Sequence, residues 1–379
     1  MQKRENDRIN EDRVNEDQVN EVRTDEHRIN EERVTENLEE TVRPHDSADY
    51  DVVATIGPAT NTEYHWRRLL EAGATGFRVN TSHLSVDELL RTLERLDRFF
   101  ADSPGSSAEK AFLVLDLQGS KWRLGDFQER TLHQDEHLRF IRGDRPTAAG
   151  TLPVPHRDFF AAAADCPGEI HLNDARVHLE IVSVSEEEVT AVVRTGGSVS
   201  SRKGITLRGS PFRAEKLGKK DNRIVDATAG HNRVRYAFSY VRDSVEMSSF
   251  RKIVGENVPV IGKIERATAL MDAPAISRMV DELWLCRGDL GAELGLERMA
   301  RGAHRFAAGI PGLSAPCLLA GQVLEHMTGT PQPTRSEICH MHDTLVAGYT
   351  GFVLSDETAV GRYPAESCRT AAMFRKHYS

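Results

Sequence analysis

The chain has few cysteines and no excess of basic charge. Its 379 residues include five cysteines, and no two of them are spaced as Cys-x-x-Cys. Scattered thiols of this kind indicate neither a disulfide framework nor a zinc site, so we expect a reducing, cytoplasmic location. The net charge of −9 argues against a nucleic-acid partner, because a general nucleic-acid-binding protein carries a basic surface.

Long apolar runs are also missing. No stretch approaches the ~18 apolar residues that a membrane-spanning helix needs, and the N-terminus lacks the apolar core of a secretory signal. We therefore expect no membrane partner. The apolar content of 39% is still sufficient for a large core, so the length predicts two or three domains, or one large barrel with an insertion.

The N-terminal region, residues 1–45, is charged and repetitive. Residues 3–42 divide into pentapeptides such as KREND, RINED and RVNED. Five residues turn a helix by about 500°, so the recurring isoleucine and valine side chains form no single apolar stripe. A coiled coil would need a period near 3.5. We predict a mostly disordered tail, and a self-association or partner-binding arm is the alternative.

After Pro44 the sequence alternates between short apolar segments and segments with leucines at helical spacing. The apolar segments show little polar alternation, as expected of parallel strands that are buried on both faces. Eight strand–helix units close a (β/α)8 barrel, whose active site lies at the carboxyl ends of its strands. The predicted strands are 52–56, 76–80, 112–117, 234–240, 259–264, 282–286, 316–320 and 351–355.

Residues 124–204 interrupt this alternation after the third strand. They are rich in strand-like segments, and we predict a small β-barrel domain inserted over the mouth of the barrel. A domain in that position can close on substrate as a lid and exclude water. The predicted barrel domain is then residues 46–123 and 205–379.

Charged residues follow the fifth and sixth predicted strands, in GKIE (262–265) and RGD (287–289). Positions i and i+2 of a strand face the same way, so Lys263 and Glu265 can both point into the barrel mouth. Glu265 and Asp289 together supply two carboxylates, a number that suits Mg²⁺ when substrate oxygens and water complete its coordination shell. The pattern favours phosphate chemistry, and for the Lys-x-Glu pair alone a salt bridge at the barrel rim is the alternative.

A set of motifs, in order along the chain, resembles those of the pyruvate kinase family from about residue 50 to the C-terminus. The resemblance implies a (β/α)8 barrel with a lid and a phosphate–metal site. Family members usually continue into a regulatory domain, and because this sequence ends one helix after the eighth strand, we expect no effector regulation of that type. The motifs are TIGPAT (55–60), FRVNTSH (77–83), LDLQGSKWRLG (115–125), SSRKGITL (200–207), GKIE (262–265), RGDLGAEL (287–294), AGQVLEHM (320–327), PTRSE (333–337) and LSDETAVGRYP (354–364).

The resemblance implies a role for each residue at the centre of the site. Lys263 would neutralise the transferring group and the developing enolate oxygen, Arg78 would clamp the phosphoryl group, and Ser355 would supply a hydroxyl beside the substrate. Glu265 and Asp289 would hold Mg²⁺ or Mn²⁺.

The substrate-binding positions of the family fall on Lys263, Gly288, Asp289 and Gly321. Backbone amides beside Gly288 would take the substrate carboxylate, where glycine permits close approach. Gly321 replaces a threonine whose hydroxyl normally helps to hold that carboxylate. Without the threonine side chain, one hydrogen bond to the substrate, worth about 1 kcal/mol, is lost, and space opens beside the reactive carbon.

The nucleotide positions of the family fall on Pro58, His83, Arg123 and Lys203. These would flank ADP or ATP in the cleft between barrel and lid. Asp174 matches a lid position that approaches the nucleotide metal.

The resemblance also implies a monovalent-cation site, usually for potassium. Asn80, Ser82, Asp116 and the Leu117 carbonyl match its ligands, although Asn80 and Ser82 can equally form a helix cap. Lys121 stands where potassium-dependent members usually have glutamate, and lysine resembles the potassium-independent members. We therefore expect activity that needs Mg²⁺ or Mn²⁺ but not potassium.

The leading functional hypothesis is a phosphotransferase that moves a phosphoryl group between phosphoenolpyruvate, or a related enol phosphate, and ADP. The alternatives are a paralogue that acts on another 2-oxo acid or phosphate acceptor in a specialised pathway, a catalytically weak ligand- or partner-binding barrel, and a lyase that needs no nucleotide. We also expect a homodimer through the barrel, at residues 292–310 and 335–347.

Overall fold

The computed structural model describes residues 50–103, 107–166, 168–173, 176–208 and 217–375. The predicted N-terminal tail and Asp174 lie outside these residues. Among the described residues, no helix combines the length and the apolar character that crossing a bilayer requires.

The strands fall into a barrel set and an inserted set. They are β1 (Asp51–Ile56), β2 (Gly76–Asn80), β3 (Phe112–Asp116), β4 (Trp122–Arg123), β5 (Arg130–Leu132), β6 (His137–Arg142), β7 (Thr151–Val154), β8 (Glu169–Leu172), β9 (Val177–Val184), β10 (Glu188–Thr195), β11 (Gly197–Val199), β12 (Gly204–Leu207), β13 (Val234–Phe238), β14 (Val260–Ile264), β15 (Glu282–Cys286), β16 (Cys317–Ala320) and β17 (Gly351–Leu354).

Most helices follow barrel strands. They are α1 (Glu63–Glu71), α2 (Val86–Ala101), α3 (Ser107–Lys110), α4 (Arg157–Asp165), α5 (Lys219–Thr228), α6 (Ser244–Val254), α7 (Ala267–Ile276), α8 (Arg287–Leu294), α9 (Leu296–Gly309), α10 (Arg335–Val346), α11 (Asp356–Ala359) and α12 (Pro364–Ala371). Short 3-10 turns lie at Pro58–Thr60, Thr81–His83, Ile310–Gly312 and Glu325–Thr328.

Eight parallel strands close the barrel in the order β1-β17-β16-β15-β14-β13-β3-β2. Closure is made where β1 pairs with both β17 and β2. The barrel strands are buried along most of their length because their outward side chains pack on helices and their inward side chains fill the barrel interior. Each begins and ends within two residues of its predicted segment, which confirms the predicted (β/α)8 barrel.

The inserted β domain is built on a seven-stranded sheet in the order β4-β12-β8-β9-β10-β6-β7, and a separate ribbon pairs β5 with β11. Its core is closed by aromatic side chains, among which Trp122, Phe140 and Phe159 are in edge or tilted contact. The strands of this domain run from Trp122 to Leu207, so β4 and β12, the strands that lead from and back to the barrel, both belong to its sheet. We call this domain the lid.

Candidate active site

The carboxyl ends of the barrel strands and one face of the lid enclose a cleft of about 710 Å³. Every predicted site residue in the described part of the chain lines this cleft, with one exception. The exception is Pro58, which is exposed and begins the 3-10 turn after β1.

Lys263 lies at the centre of the cleft, on β14, and is almost completely buried. Its ammonium lies 3.0 Å from Asp116 Oδ1, 3.0 Å from Ser239 Oγ and 2.9 Å from Glu265 Oε1. Burial alone would lower the pKa of Lys263, but the Asp116 and Glu265 carboxylates outweigh burial and raise the pKa above its ordinary value. Lys263 is therefore a permanent positive charge at neutral pH.

Asp116, the last residue of β3, is the buried counter-ion of two cations. Arg78 Nε donates to Asp116 Oδ2 at 2.7 Å, and Arg78 Nη1 donates to Thr55 Oγ1 at 2.9 Å. Burial would raise the pKa of Asp116, yet the charges of Lys263 and Arg78 lower it to about 2. The arrangement fixes the Arg78 guanidinium on one wall of the cleft.

Glu265 and Asp289 form the acidic wall of the cleft. Glu265 Oε2 accepts a hydrogen bond from the Tyr240 amide at 2.8 Å, and Asp289 is paired with the Lys121 ammonium. Burial, together with the nearby Asp289 charge, raises the pKa of Glu265. Burial would also raise the pKa of Asp289, but Lys121 reverses this and lowers it.

These two carboxylates fit a divalent cation such as Mg²⁺. They are oxygen donors inside the cleft, Glu265 fully buried and Asp289 partly exposed, and after burial the Asp289 charge contributes to the raised pKa of Glu265. A dication would relieve this repulsion. Within the described residues, no group of three or more His, Cys, Asp or Glu side chains could hold a metal ion. Mg²⁺ does not need such a group, because it commonly takes one or two carboxylates and completes its octahedral shell with water and phosphate oxygens.

The residues predicted as monovalent-cation ligands all have protein partners. Asn80 Oδ1 accepts from the Ser82 amide at 3.1 Å and so caps the 3-10 turn. Ser82 Oγ accepts from Arg123 Nη2 at 2.9 Å, and the Leu117 carbonyl accepts from Ser239 Oγ at 2.7 Å. The capping alternative for Asn80 is therefore realised, and Lys121 lies in the same cleft.

Three of the predicted nucleotide residues, His83, Arg123 and Lys203, lie in the part of the cleft where the lid meets the end of β2. His83 is solvent-exposed at the rim of the cleft, and its partial desolvation together with the charges of Lys203 and Arg123 lowers its pKa to about 4. His83 is therefore neutral at pH 7, beside two cations. This edge of the cleft suits an anionic ligand.

On the opposite side, the loop after β16 is shaped by Gly321. Its φ of +86° is a conformation that favours glycine, and a Cβ built there would lie 3.2 Å from the Gly288 amide nitrogen. Arg287 donates to the Gly321 carbonyl at 2.7 Å and to the Gln322 carbonyl at 2.7 Å, which locks the loop. The first amides of α8 therefore lie beside open space, as an anion site at a helix N-terminus requires.

Two residues after β13 were missed by the sequence reasoning. Ser239 contacts Lys263 and Asp116, and Tyr240 holds Glu265 through its amide and Asp289 through its side chain. The sequence predicts both as the last residues of the strand at 234–240, although β13 ends at Phe238. The available signal was their polarity at the carboxyl end of a barrel strand.

Four polar lid residues that line the cleft were also not predicted from the sequence: Glu169, His171, His178 and Arg208. His171 and His178 are cross-strand neighbours with stacked rings 4.3 Å apart, and Glu169 pairs with Arg208 at 2.7 Å. All four side chains line the cleft. The period-two pattern of the predicted lid strands could have placed His171 and Glu169 on one face.

The chain resembles known proteins along most of its described length. The family model described as the pyruvate kinase barrel domain matches residues 48–368. The pyruvate kinase of Agrobacterium vitis is 31% identical over 323 residues, which cover 83% of this chain and 66% of that protein. The pyruvate kinase of Mycobacterium tuberculosis is 32% identical over 326 residues, with 84% and 68% covered.

This chain thus spans about two thirds of the length of these relatives. A crystal structure of a pyruvate kinase from Cryptosporidium parvum superposes with a TM-score of 0.74 at 21% identity, over 89% of this chain and 70% of that one, and shows the shared fold. Because the barrel-domain match covers most of the chain, from before β1 into α12, the chain belongs to the pyruvate kinase family.

Proposed function

We propose that this chain transfers a phosphoryl group between phosphoenolpyruvate, or a related enol phosphate, and ADP. The observation that carries the proposal is the buried, charged Lys263 between Asp116 and Glu265 in a cleft that a lid covers. Phosphoryl transfer depends mainly on positioning and on positive charge around the moving group, and it needs little covalent help. Family membership supports the same reaction.

Lys263 would face the bridging oxygen of the enol phosphate and neutralise the enolate that forms when the phosphoryl group leaves. Arg78, fixed by Asp116 and Thr55, would hold the phosphoryl oxygens. The amides of Gly288 and Asp289 would bind the substrate carboxylate at the N-terminus of α8. Ser355 is the hydroxyl group that would lie beside the reactive carbon.

Glu265 and Asp289 would hold Mg²⁺ or Mn²⁺, which when bound would polarise the substrate oxygens and offset their developing charge. Tyr240 orients both carboxylates, and Lys121 holds Asp289. His83, Arg123 and Lys203 would bind ADP or ATP. Pro58 is exposed and would contact nucleotide only at the rim.

We further propose that Lys121 takes the place of a monovalent cation. Its ammonium reaches Asp289 inside the cleft and supplies a fixed positive charge there. Rates in potassium and in tetramethylammonium salts should therefore be equal. A large stimulation by potassium would contradict this part of the proposal.

The test is a coupled assay of phosphoenolpyruvate and ADP with Mg²⁺. Lys263→Met should lower kcat by about 10²–10³ or more, because it removes a charge that acts on the transition state. The matched control is Lys203→Met, the same substitution on the lid, which should mainly raise the KM for ADP. Wild-type turnover by the Lys263 variant, or no turnover by the wild type, would overturn the proposal.

A shifted substrate is the second candidate, and it is favoured by the absence of a side chain at Gly321, beside the amides of Arg287 and Gly288. The reverse reaction should be compared for pyruvate, 2-oxobutyrate and longer 2-oxo acids. A preference for pyruvate by orders of magnitude would exclude this candidate. A cytoplasmic location and a homodimer through the barrel stay predictions.

A further inference from the structure

Lys121 lies in the segment that leads from the barrel into the lid. Gly204, in the segment that leads back from the lid to the barrel, faces the Lys121 side chain. Lys121 precedes β4, whose Arg123 pairs with Gly204 at the start of β12. A Cβ built on Gly204 would lie 2.7 Å from Lys121 Cδ and 2.8 Å from Lys121 Nζ. Any side chain at position 204 would therefore occupy the space that the Lys121 side chain fills.

The backbone of Gly204 does not itself require glycine. Its φ lies outside the left-handed region, so alanine would fit there without backbone strain. The three nearest atoms that a Cβ would meet all belong to the flexible end of Lys121. The clash can therefore be relieved by moving one side chain, at little expense to the fold.

The Lys121 side chain is held on its other sides as well. Its ammonium pairs with Asp289 and lies 5.0 Å from the centroid of the Tyr240 ring, where a cation is attracted to the aromatic face. Asp221 fixes the preceding loop by accepting hydrogen bonds from the amides of Gln118 and Gly119 at 3.0 and 2.9 Å. On the side that faces the lid, the Lys121 side chain packs against the backbone of Gly204.

We propose that Gly204 is a positioning residue: its missing side chain leaves the slot that directs the Lys121 ammonium onto Asp289. The returning strand of the lid thereby determines where the internal cation sits. The effect on catalysis rests on the proposed role of Lys121 as a cation substitute. The effect on the location of the ammonium does not depend on that role.

The first measurement follows the Lys121 amine without turnover. Wild type and Gly204→Ala are labelled with acetic anhydride, and labelling at Lys121 is quantified by peptide mass spectrometry; the buried, protonated Lys263 should stay unlabelled, and its labelling would report unfolding. We expect the Lys121 rate to rise about tenfold in the variant, the factor that corresponds to ~1.4 kcal/mol of lost ion pairing. Gly218→Ala is the matched control, because a Cβ at Gly218 would meet nothing within 4 Å, and its labelling should not change.

The second measurement compares rates in potassium and tetramethylammonium salts. Lys121→Ala and Gly204→Ala should both acquire stimulation by potassium. If Lys121→Ala acquires it while Gly204→Ala shows neither stimulation nor faster labelling, the positioning role is wrong and the cation role stands. If Lys121→Ala acquires none, the cation role is wrong, and the labelling alone decides the role of Gly204.

A double variant separates the clash from a distortion of the lid. In Lys121→Ala, the atoms that a side chain at position 204 would meet are gone, so adding Gly204→Ala should lower the rate no further. A further loss of activity, in a protein whose melting temperature is unchanged, would show that the substitution acts through the lid and would overturn the proposal.

Discussion

The barrel and the lid use the same kinds of charged side chain in opposite surroundings. In the barrel, the side chains of Lys263, Asp116 and Glu265 are each less than a tenth exposed. In the lid, Arg194 and Glu180 pair 2.7 Å apart although each is more than half exposed. Buried charges must be fixed by one another because desolvation is expensive, whereas exposed pairs are screened by water. The buried ion pairs of the barrel are therefore fixed in place, whereas the exposed ion pairs of the lid can be replaced at little expense to stability.

The largest difference in stability between a barrel variant and a lid variant should appear when the Asp116 carboxylate is removed. Asp116→Ala leaves the Lys263 and Arg78 cations close together, buried and without their shared counter-ion. We expect the free energy of unfolding to fall by about 3–5 kcal/mol, as for other broken buried pairs. Chemical denaturation followed by circular dichroism measures the change.

The matched control is Glu188→Ala on the lid. Glu188 pairs with Arg139 at the surface, so its removal should leave the denaturation midpoint almost unchanged. Equal losses in the two variants would show that burial is not what separates the barrel from the lid.

A smaller effect, with a pH dependence, is expected at the amino end of the barrel. Glu282 begins β15, accepts from Trp284 Nε1 and lies 3.5 Å from Arg235 Nη1, and burial raises its pKa to about 7. Between the ordinary pKa of 4.5 and about 7, the folded state holds a proton that the unfolded state releases. The free energy of unfolding should therefore fall as pH rises through this window, by roughly 3 kcal/mol at most.

Glu282→Gln should remove this contribution, because the amide does not titrate and can still accept from Trp284. The difference between wild type and variant, measured by urea denaturation from pH 4.5 to 7, isolates Glu282 from other groups. The partly exposed lid carboxylate Glu188 has its pKa lowered, in the opposite direction, by its hydrogen bond with Arg139. A flat difference curve for Glu282→Gln would show that burial does not govern this group.

The barrel could be predicted closely from the sequence because its signals are local. Parallel strands that are buried on both faces appear in the sequence as short apolar segments. Each segment ends at a polar residue, which lies at the mouth of the barrel. The Lys-x-Glu spacing at the end of β14 brings the Lys263 ammonium within 2.9 Å of the Glu265 carboxylate. Such a contact follows from strand geometry, without knowledge of the fold.

Contacts between residues far apart in the sequence could not be predicted from such local signals. The pairing of Lys121 with Asp289 joins residues 168 positions apart, and the slot beside Gly204 exists only once β12 lies on β4. Tyr240 was hidden for a different reason, since the apolar run of β13 continues into polar residues that still resemble a strand. Only closure of the barrel shows that they have reached the mouth.

The smallest effect is expected where barrel and lid touch through exposed charges. Arg176 Nη2 of the lid lies 3.3 Å from Glu325 Oε1 after β16, and both side chains are largely exposed. Arg176→Ala should lower the free energy of unfolding by about 1 kcal/mol or less. The loss should vanish at high salt, because the screening length shrinks to ~3 Å at 1 M. A loss that persists at high salt and rivals that of Asp116→Ala would mean that a surface contact fixes the lid, and the contrast between a rigid barrel site and a weakly held cover would not hold.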